Sequence, residues 1–319
     1  MSTAAEATTT GAPLPAVGAA EKRTSRSIWR RILAQKPAII GLTILGFLFA
    51  VAILADVLAT YPPETSVIRL GETRAEGAVG RAAPCIHLLG CPADRPEHWM
   101  GLDGNVIDEF ARVVFGARVS LLIGLFTAGS AILVGLLIGA VAGYAGGRVD
   151  NILMRSMEVI LAFPALLLSI VIVTILGPGL VNAMAAVAFV AIPIYARVMR
   201  ASVLAIREQD YVTAARAMGD SPFGILVRRV IPNSLTPMIV QGTLGIGTAV
   251  LEVAALSFLG LGAQIPTPEW GQMIGREYNN IQNAPHLIFF PGIALTLTVL
   301  GFNLLGDGLR DAFDPRLSR

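Results

Sequence analysis

Charge is what this sequence most lacks. Asp, Glu, Lys and Arg make up 14% of its 319 residues, where a soluble domain carries about 25%. Hydrophobic residues supply 54% and the mean hydropathy is +0.68, so most of the chain belongs in lipid rather than in water. The net charge of +2 is too small to argue for nucleic acid, and no Lys/Arg block has aromatic residues interleaved with it. Cysteine is scarce: Cys85 and Cys91 are the only two, six positions apart in one loop, and they make no CxxC metal or redox motif. They are either inert loop thiols or, if the loop faces an oxidising space, a small disulfide. His87, His98 and His286 are spaced wrongly for a local site, so no metal is expected. A G-x-x-x-x-G-K-[ST] phosphate loop is missing, which removes the usual route to ATP. Neither a nucleophile–base pair nor paired carboxylates can be argued, because the acids lie in loops where solvation accounts for them. An intramembrane hydrolase is therefore unsupported.

What the chain does have is long apolar runs. A bilayer span needs roughly 20 apolar residues. Free of Asp, Glu, Lys and Arg are Pro37 to Ala55, Val119 to Gly147 and Val159 to Ala196. The last is too long for one span and is cut by Gly177-Pro178-Gly179, a strong turn signal. Val230 to Leu251 continues past Glu252 to about Gly262, and the final run, Tyr278 to Gly306, begins its helix near Leu287. Six transmembrane helices result, with Pro164 and Pro193 as kinks.

Lys and Arg set the orientation. With a cytoplasmic N-terminus, six spans return the C-terminus to the cytoplasm. The inside segments then hold 17 of the 24 basic residues and the outside segments 7; the opposite orientation reverses that ratio. A cleaved signal peptide over 22–60 is the weaker reading, since the charged lead is long and the run reaches spanning length. The expected layout is a cytoplasmic, largely disordered tail over 1–36 and a first span over 37–60. An extracytoplasmic loop over 61–116 follows. A five-helix core occupies 117–306, with a cytoplasmic connection at 197–237, and the cytoplasmic tail is 307–319. The outer loop carries eight acids between 61 and 112 and is too short and too rich in Pro and Gly to expect a domain. Pro266, Pro268 and Trp270 mark a second outside segment with a short interfacial helix.

The most informative stretch is Arg197 to Pro237. Tyr211, Ala214, Ala215 and Met218 recur there at helical spacing as one apolar stripe. Arg207, Glu208, Arg216 and Asp220 lie off it. Gly219 suits the left-handed residue that ends a helix, Ser221-Pro222 starts a new segment, and Pro232 and Pro237 mark entry into span five. This describes a short helix across the cytoplasmic face, either fitting a partner's groove or resting on lipid.

Residues 213–232 begin Thr-Ala-Ala-Arg-Ala-Met-Gly-Asp and end Val-Ile-Pro. This resembles the EAA loop of ABC importer permeases, E-A-A-x3-G-x9-I-x-L-P, with Ala214, Ala215, Gly219 and Pro232 matching at the right spacing. Thr213 replaces the Glu, Arg229 the Ile and Ile231 the Leu. His98-Trp-Met-Gly-Leu-Asp103 with Phe115-Gly-Ala-Arg-Val-Ser-Leu121 is similar to a segment of the dipeptide, oligopeptide and nickel permeases. So are Met154-Arg155, Leu161-Ala-Phe-Pro164, Leu256-Ser-Phe-Leu-Gly-Leu-Gly262, Pro266-x-Pro268-x-Trp270-Gly271 and Phe302 through Asp311. They favour the "C" type of the two unlike permeases in such systems. Where that family has Gly-Arg-Asp, this chain has Val106-Ile107-Asp108.

The resemblance implies the type I ABC importer permease fold, all α with both termini cytoplasmic, in the cell membrane. It also implies a homologous second permease, two ATPase subunits or domains and an extracytoplasmic solute-binding protein. No cofactor is expected on this chain, ATP and Mg being used by the ATPase. Tyr211, Thr213, Ala214, Ala215, Arg216, Met218, Gly219, Asp220 and Pro232 become the coupling set. Peptides are the expected solute, with nickel chelates and haem as alternatives within the family. Glu252, inside span five toward its outer end, is a functional candidate by default. It is read as lining the pathway, binding a peptide amine or pairing with the sister permease, or else as sitting near outside water. Asn303 is the other in-span polar group, read chiefly as a helix–helix hydrogen bond. An ion-driven secondary transporter would need in-span acids or broken helices in matching halves, and Glu252 alone qualifies.

Overall fold

The computed structural model describes residues 31–313, which are almost wholly helical outside one loop lobe. The sequence expectations for residues 1–30 and 314–319 lie outside the described residues. The first span, α1 (Lys36–Ile53), starts with Pro37 in its first turn, where the missing N–H costs nothing. Arg118 donates to the carbonyls of Ala52 (3.0 Å) and Ile53 (3.4 Å), satisfying groups that the helix end leaves open. A much longer helix, α2 (Glu109–Ala145), follows the outer lobe. Asp108 caps it by accepting from the Ala111 amide at 2.8 Å. At 37 residues it measures about 55 Å, more than a bilayer needs, so its first turns stand outside the lipid.

The long apolar run divides twice rather than once. Gly177–Gly179 forms the expected outer turn, and the Gly179 amide donates to the Leu261 carbonyl at 3.0 Å. The chain also breaks at Ala162–Pro164, separating α3 (Gly147–Leu161) from α4 (Ala165–Leu176) at an angle of 89°. With 12 residues α4 spans only about 18 Å, short of a bilayer core of about 30 Å. The third crossing is thus a bent pair and not the continuous helix the run suggested. Proline locks its own φ and disfavours helix in the residue before it, so a kink expected at Pro164 is a full break. Pro193, by contrast, lies inside the unbroken α5 (Leu180–Arg207). Counting the bent pair once gives the six crossings expected.

After α5 come α6 (Asp210–Ala217) and a continuous 37-residue helix, α7 (Pro222–Phe258). Span five therefore begins fifteen residues before Pro237, which sits inside the helix. A π-helical turn over Leu226–Val230 explains how the helix passes Pro232. Pro232 has no N–H for the Arg228 carbonyl, and the local winding loosens. On the outer side lies α8 (Trp270–Glu277), and α9 (His286–Phe313) runs past Gly306 to complete the bundle.

The bundle is tied by α2 and α5, which form its most extensive helix–helix contact. Gly135, Gly139 and Gly143 form one stripe on α2. A Cβ on Gly135 would meet Tyr195 Cβ at 2.6 Å, and one on Gly143 would meet Val203 Cβ at 3.0 Å. Small residues at this spacing let two helices approach closely in lipid.

The outer loop is more organised than its composition suggests. Short 3-10 turns at Val67–Leu70, Arg74–Glu76 and His87–Leu89 surround a small core of Val67, Ala78 and Leu102. Isolated β-bridges pair Cys85 with His98 and Leu102 with Asp108. Cys85 and Cys91 are joined as a disulfide.

Candidate functional site

Three places carry polar chemistry: the inner face around α6, a cavity among α2, α5 and α7, and a charged belt under the outer lobe.

On the inner face, α6 shows two unlike sides. Val212 and Ala215 are fully buried and join a cluster with Val203, Ile225 and Val230. Tyr211, Thr213, Ala214, Arg216 and Met218 are exposed. Ala215 thus leaves the stripe in which its spacing placed it: the helix buries the i, i+3 pair Val212–Ala215 and presents Tyr211, Ala214 and Met218. Phe223 on the first turn of α7 is also exposed, at 75% against the 73% of Met218. Gly219 takes φ +86°, the left-handed conformation expected of it. Ser221 caps α7 by accepting from the Gly224 amide at 3.1 Å. Asp220 is bound by Arg229 at 2.9 and 3.2 Å, so the residue standing where the family pattern has Ile closes the α6–α7 turn. The side-chain amide of Asn233 donates to the Arg229 carbonyl at 2.6 Å beside Pro232.

The same inner face is lashed to the bundle by contacts that sequence spacing did not reveal. Arg200 on α5 grips Asp150 on α3 through two bonds of 2.5 and 2.6 Å. Arg207, the last residue of α5, donates to the Gly143 carbonyl of α2 at 2.6 Å. These partners lie 50 and 64 residues apart, beyond the reach of any local pattern.

Glu252 lines a cavity of about 80 Å³. Thr127 of α2, Tyr195 of α5, and Gln241 and Thr248 of α7 share the lining, as does Ala165, the first residue of α4. Gly245 makes room for the Tyr195 ring. Of these the sequence marks Glu252 alone; the others come from four helices and share no motif. Asn303 is not in this lining: it is exposed on α9, and no hydrogen bond links it to another described residue. The hydrogen bond expected between Asn303 and another helix is therefore not found within the described residues.

Glu64, Glu76 and Asp94 of the outer loop are exposed, as solvated loop acids should be, but other outer acids are not. His98, Asp103, Asp108, Glu109, Glu269 and Glu277 are all at least nine-tenths buried. His98 lies between two carboxylates, with Nδ1 2.9 Å from Asp108 and Nε2 3.0 Å from Glu72. Burial opposes its charged form, but the bonds and charges of Asp108 and Glu72 outweigh burial, and its pKa is raised above the usual value. With both ring nitrogens engaged, this imidazole has none left to serve a nucleophile. Asp103 accepts from the amides of Asn105 (2.7 Å) and Ile107 (2.9 Å) and meets Arg276 of α8 at 3.3 Å. Arg81 of the lobe binds Glu277 of α8 at 2.7 Å. The buried Trp270 donates to the Val113 carbonyl of α2 at 3.0 Å. Glu269 caps α8 through the amides of Gly271 and Gln272, and burial raises its pKa. The belt clamps lobe, α2 and α8 together. Among the described residues no three His, Cys, Asp or Glu side chains converge as a metal site.

Comparison with known proteins gives one family. Residues 135–319, more than half the chain, match the binding-protein-dependent transport system inner membrane component. Residues 24–74 match the N-terminal TM domain of oligopeptide transport permease C. The chain is 43% identical to a dipeptide transport system permease protein of Alkalihalophilus pseudofirmus, over 93% of each chain. It is 38% identical to a glutathione transport system permease protein of Pectobacterium atrosepticum, over 96% of each. Its fold is similar to a chain of the MetNI methionine ABC transporter in an inward-facing conformation. The TM-score is 0.54 at 21% identity, covering 64% of this chain and 98% of that one.

Proposed function

Because the chain belongs to the family of binding-protein-dependent transport system inner membrane components, we propose that it is the permease through which an ATP-driven importer passes small peptides into the cell. It is a multi-pass protein of the inner membrane. The observation that carries the coupling half of this reading is α6. One of its faces, Val212 and Ala215, is locked into the bundle, while the other, Tyr211, Ala214 and Met218, is exposed. A helix locked on one side and apolar on the other is a lever: a partner that grips the outward face moves the bundle with it. The partner is an ATPase, one of two, which binds ATP and Mg; this chain has no phosphate loop of its own. A homologous permease completes the pore and an external solute-binding protein delivers the peptide. Shifting a two-state pore from 1:99 to 99:1 takes about 5.5 kcal/mol of differential binding, which a rigid attachment transmits and a floppy loop dissipates. Arg200–Asp150 and Arg207–Gly143 supply that rigidity. Peptides are preferred over chelates or haem because the similar relatives are named for dipeptides and glutathione.

The test is uptake of labelled dipeptide into proteoliposomes holding both permeases and the ATPases, with binding protein outside and ATP within. Uptake that requires ATP supports the reading; uptake driven by an ion gradient without ATP overturns it.

A further inference from the structure

Glu252 is a carboxylate without a partner among the described residues. It lies six residues before the outer end of α7, about 9 Å down the helix axis, where ionisable groups are costly and mark function. Among the described residues no cation or hydrogen-bond donor reaches it, and the cavity it lines contains no Lys, Arg or His. A second group in the same cavity is also unmatched. Thr127 is 1% exposed and its Oγ1 has no hydrogen-bond partner among the described residues, although a helical threonine readily bonds the carbonyl one turn back. A buried polar atom left open in this way costs about 1–3 kcal/mol, so the pair describes a space built for something with donors. Tyr195, Gln241 and Thr248 add oxygens and an amide around it, and Thr248 is exposed at its rim.

We propose that Glu252, with Thr127, Tyr195, Gln241 and Thr248, binds the ammonium group of the solute in transit. The chemistry follows from the donor inventory. A primary ammonium brings three N–H donors and one positive charge; the cavity offers one carboxylate and several neutral oxygens. A volume of about 80 Å³ admits an ammonium with its neighbouring carbon but not a whole dipeptide, so the site holds one end of the solute. That the solute is a peptide rests on the function proposed above; the cation preference of the cavity does not.

The chain lends itself to a direct test, because among the described residues there is no free thiol. Thr248→Cys places one at the cavity rim. Its rate of labelling is measured in the assembled complex with 2-aminoethyl methanethiosulfonate, a cation, and with 2-sulfonatoethyl methanethiosulfonate, an anion, reading only the band of this chain. Adding Glu252→Gln, which keeps shape and removes charge, should lower the cation-to-anion rate ratio about tenfold. An unchanged ratio, or a thiol that neither reagent reaches because a neighbouring subunit fills the space, overturns the proposal. In the otherwise native complex, Glu252→Gln should lower ATP-driven uptake of L-alanyl-L-alanine about tenfold and Glu252→Asp should restore part of it. Uptake unaffected by Glu252→Gln also overturns the proposal. If the importer reading itself is wrong, the native complex shows no ATP-driven uptake while the charge preference of the thiol persists.

Discussion

Ala214 and Ala215 are neighbours on α6 that face opposite worlds: Ala215 is fully buried against the bundle and Ala214 is exposed on the outward side. The two positions separate folding from coupling. Ala215→Glu buries an unpaired charge and should cost several kcal/mol, seen as lost expression or a collapsed melting temperature. Ala214→Glu should change stability by no more than about 0.5 kcal/mol, yet reduce dipeptide uptake per ATP hydrolysed at least tenfold. Thermal melting and coupled uptake assays on both variants check this.

The His98 clasp makes the outer lobe sensitive to pH. Its raised pKa means that the charged ring is favoured by the fold. The stabilisation is fully present below about pH 6.5, the unfolded value, and is lost as pH rises through the higher folded value. Protection of segments 61–72 and 96–108 from amide exchange, corrected for intrinsic rates, should fall over that rise. His98→Gln should weaken protection at low pH and flatten its dependence.

Val106 holds φ +60°, a conformation that costs an L-residue about 1–2 kcal/mol and more for a β-branched one. Val106→Gly should relieve that strain, offset by the extra chain entropy of glycine and the lost packing of a partly buried side chain. Val106→Ala keeps the strain, loses packing and should destabilise. The Val106→Gly variant should melt above the Val106→Ala variant.

Arg200 and Asp150 are partly exposed, at 36% and 12% of their side chains, so their pairing is worth about 1 kcal/mol rather than the larger value of a fully buried pair. A double-mutant cycle with Arg200→Met and Asp150→Asn should return a coupling energy of that order. The single variants should lower transport per ATP hydrolysed more than they lower stability, because the pair stiffens the α3–α5 attachment.

What the sequence made legible was whatever repeats at short range. Apolar runs gave the spans, Gly177–Gly179 the outer turn, and Gly219 and Ser221-Pro222 the ends of α6 and α7. Ala215 was misplaced because a stripe at helical spacing does not say which side of a short helix the bundle will cover; the large Val212 beside it decided that. The break at Pro164 looks like a kink in the sequence, which does not tell a bent helix from two helices. The buried acids of the outer belt cannot be told from solvated ones in the sequence because partners such as Arg276 for Asp103 and Arg81 for Glu277 lie 173 and 196 residues away. The cavity around Glu252 was invisible for the same reason.

The most direct measurement is site-specific photo-crosslinking from the outward face of α6 in the assembled complex. A benzophenone side chain at position 218 should crosslink to the ATPase, and one at the buried position 212 should give only links within this chain. A Met218 probe that never captures the ATPase, or that is reached by a membrane-impermeant reagent added outside sealed cells, would contradict the lever.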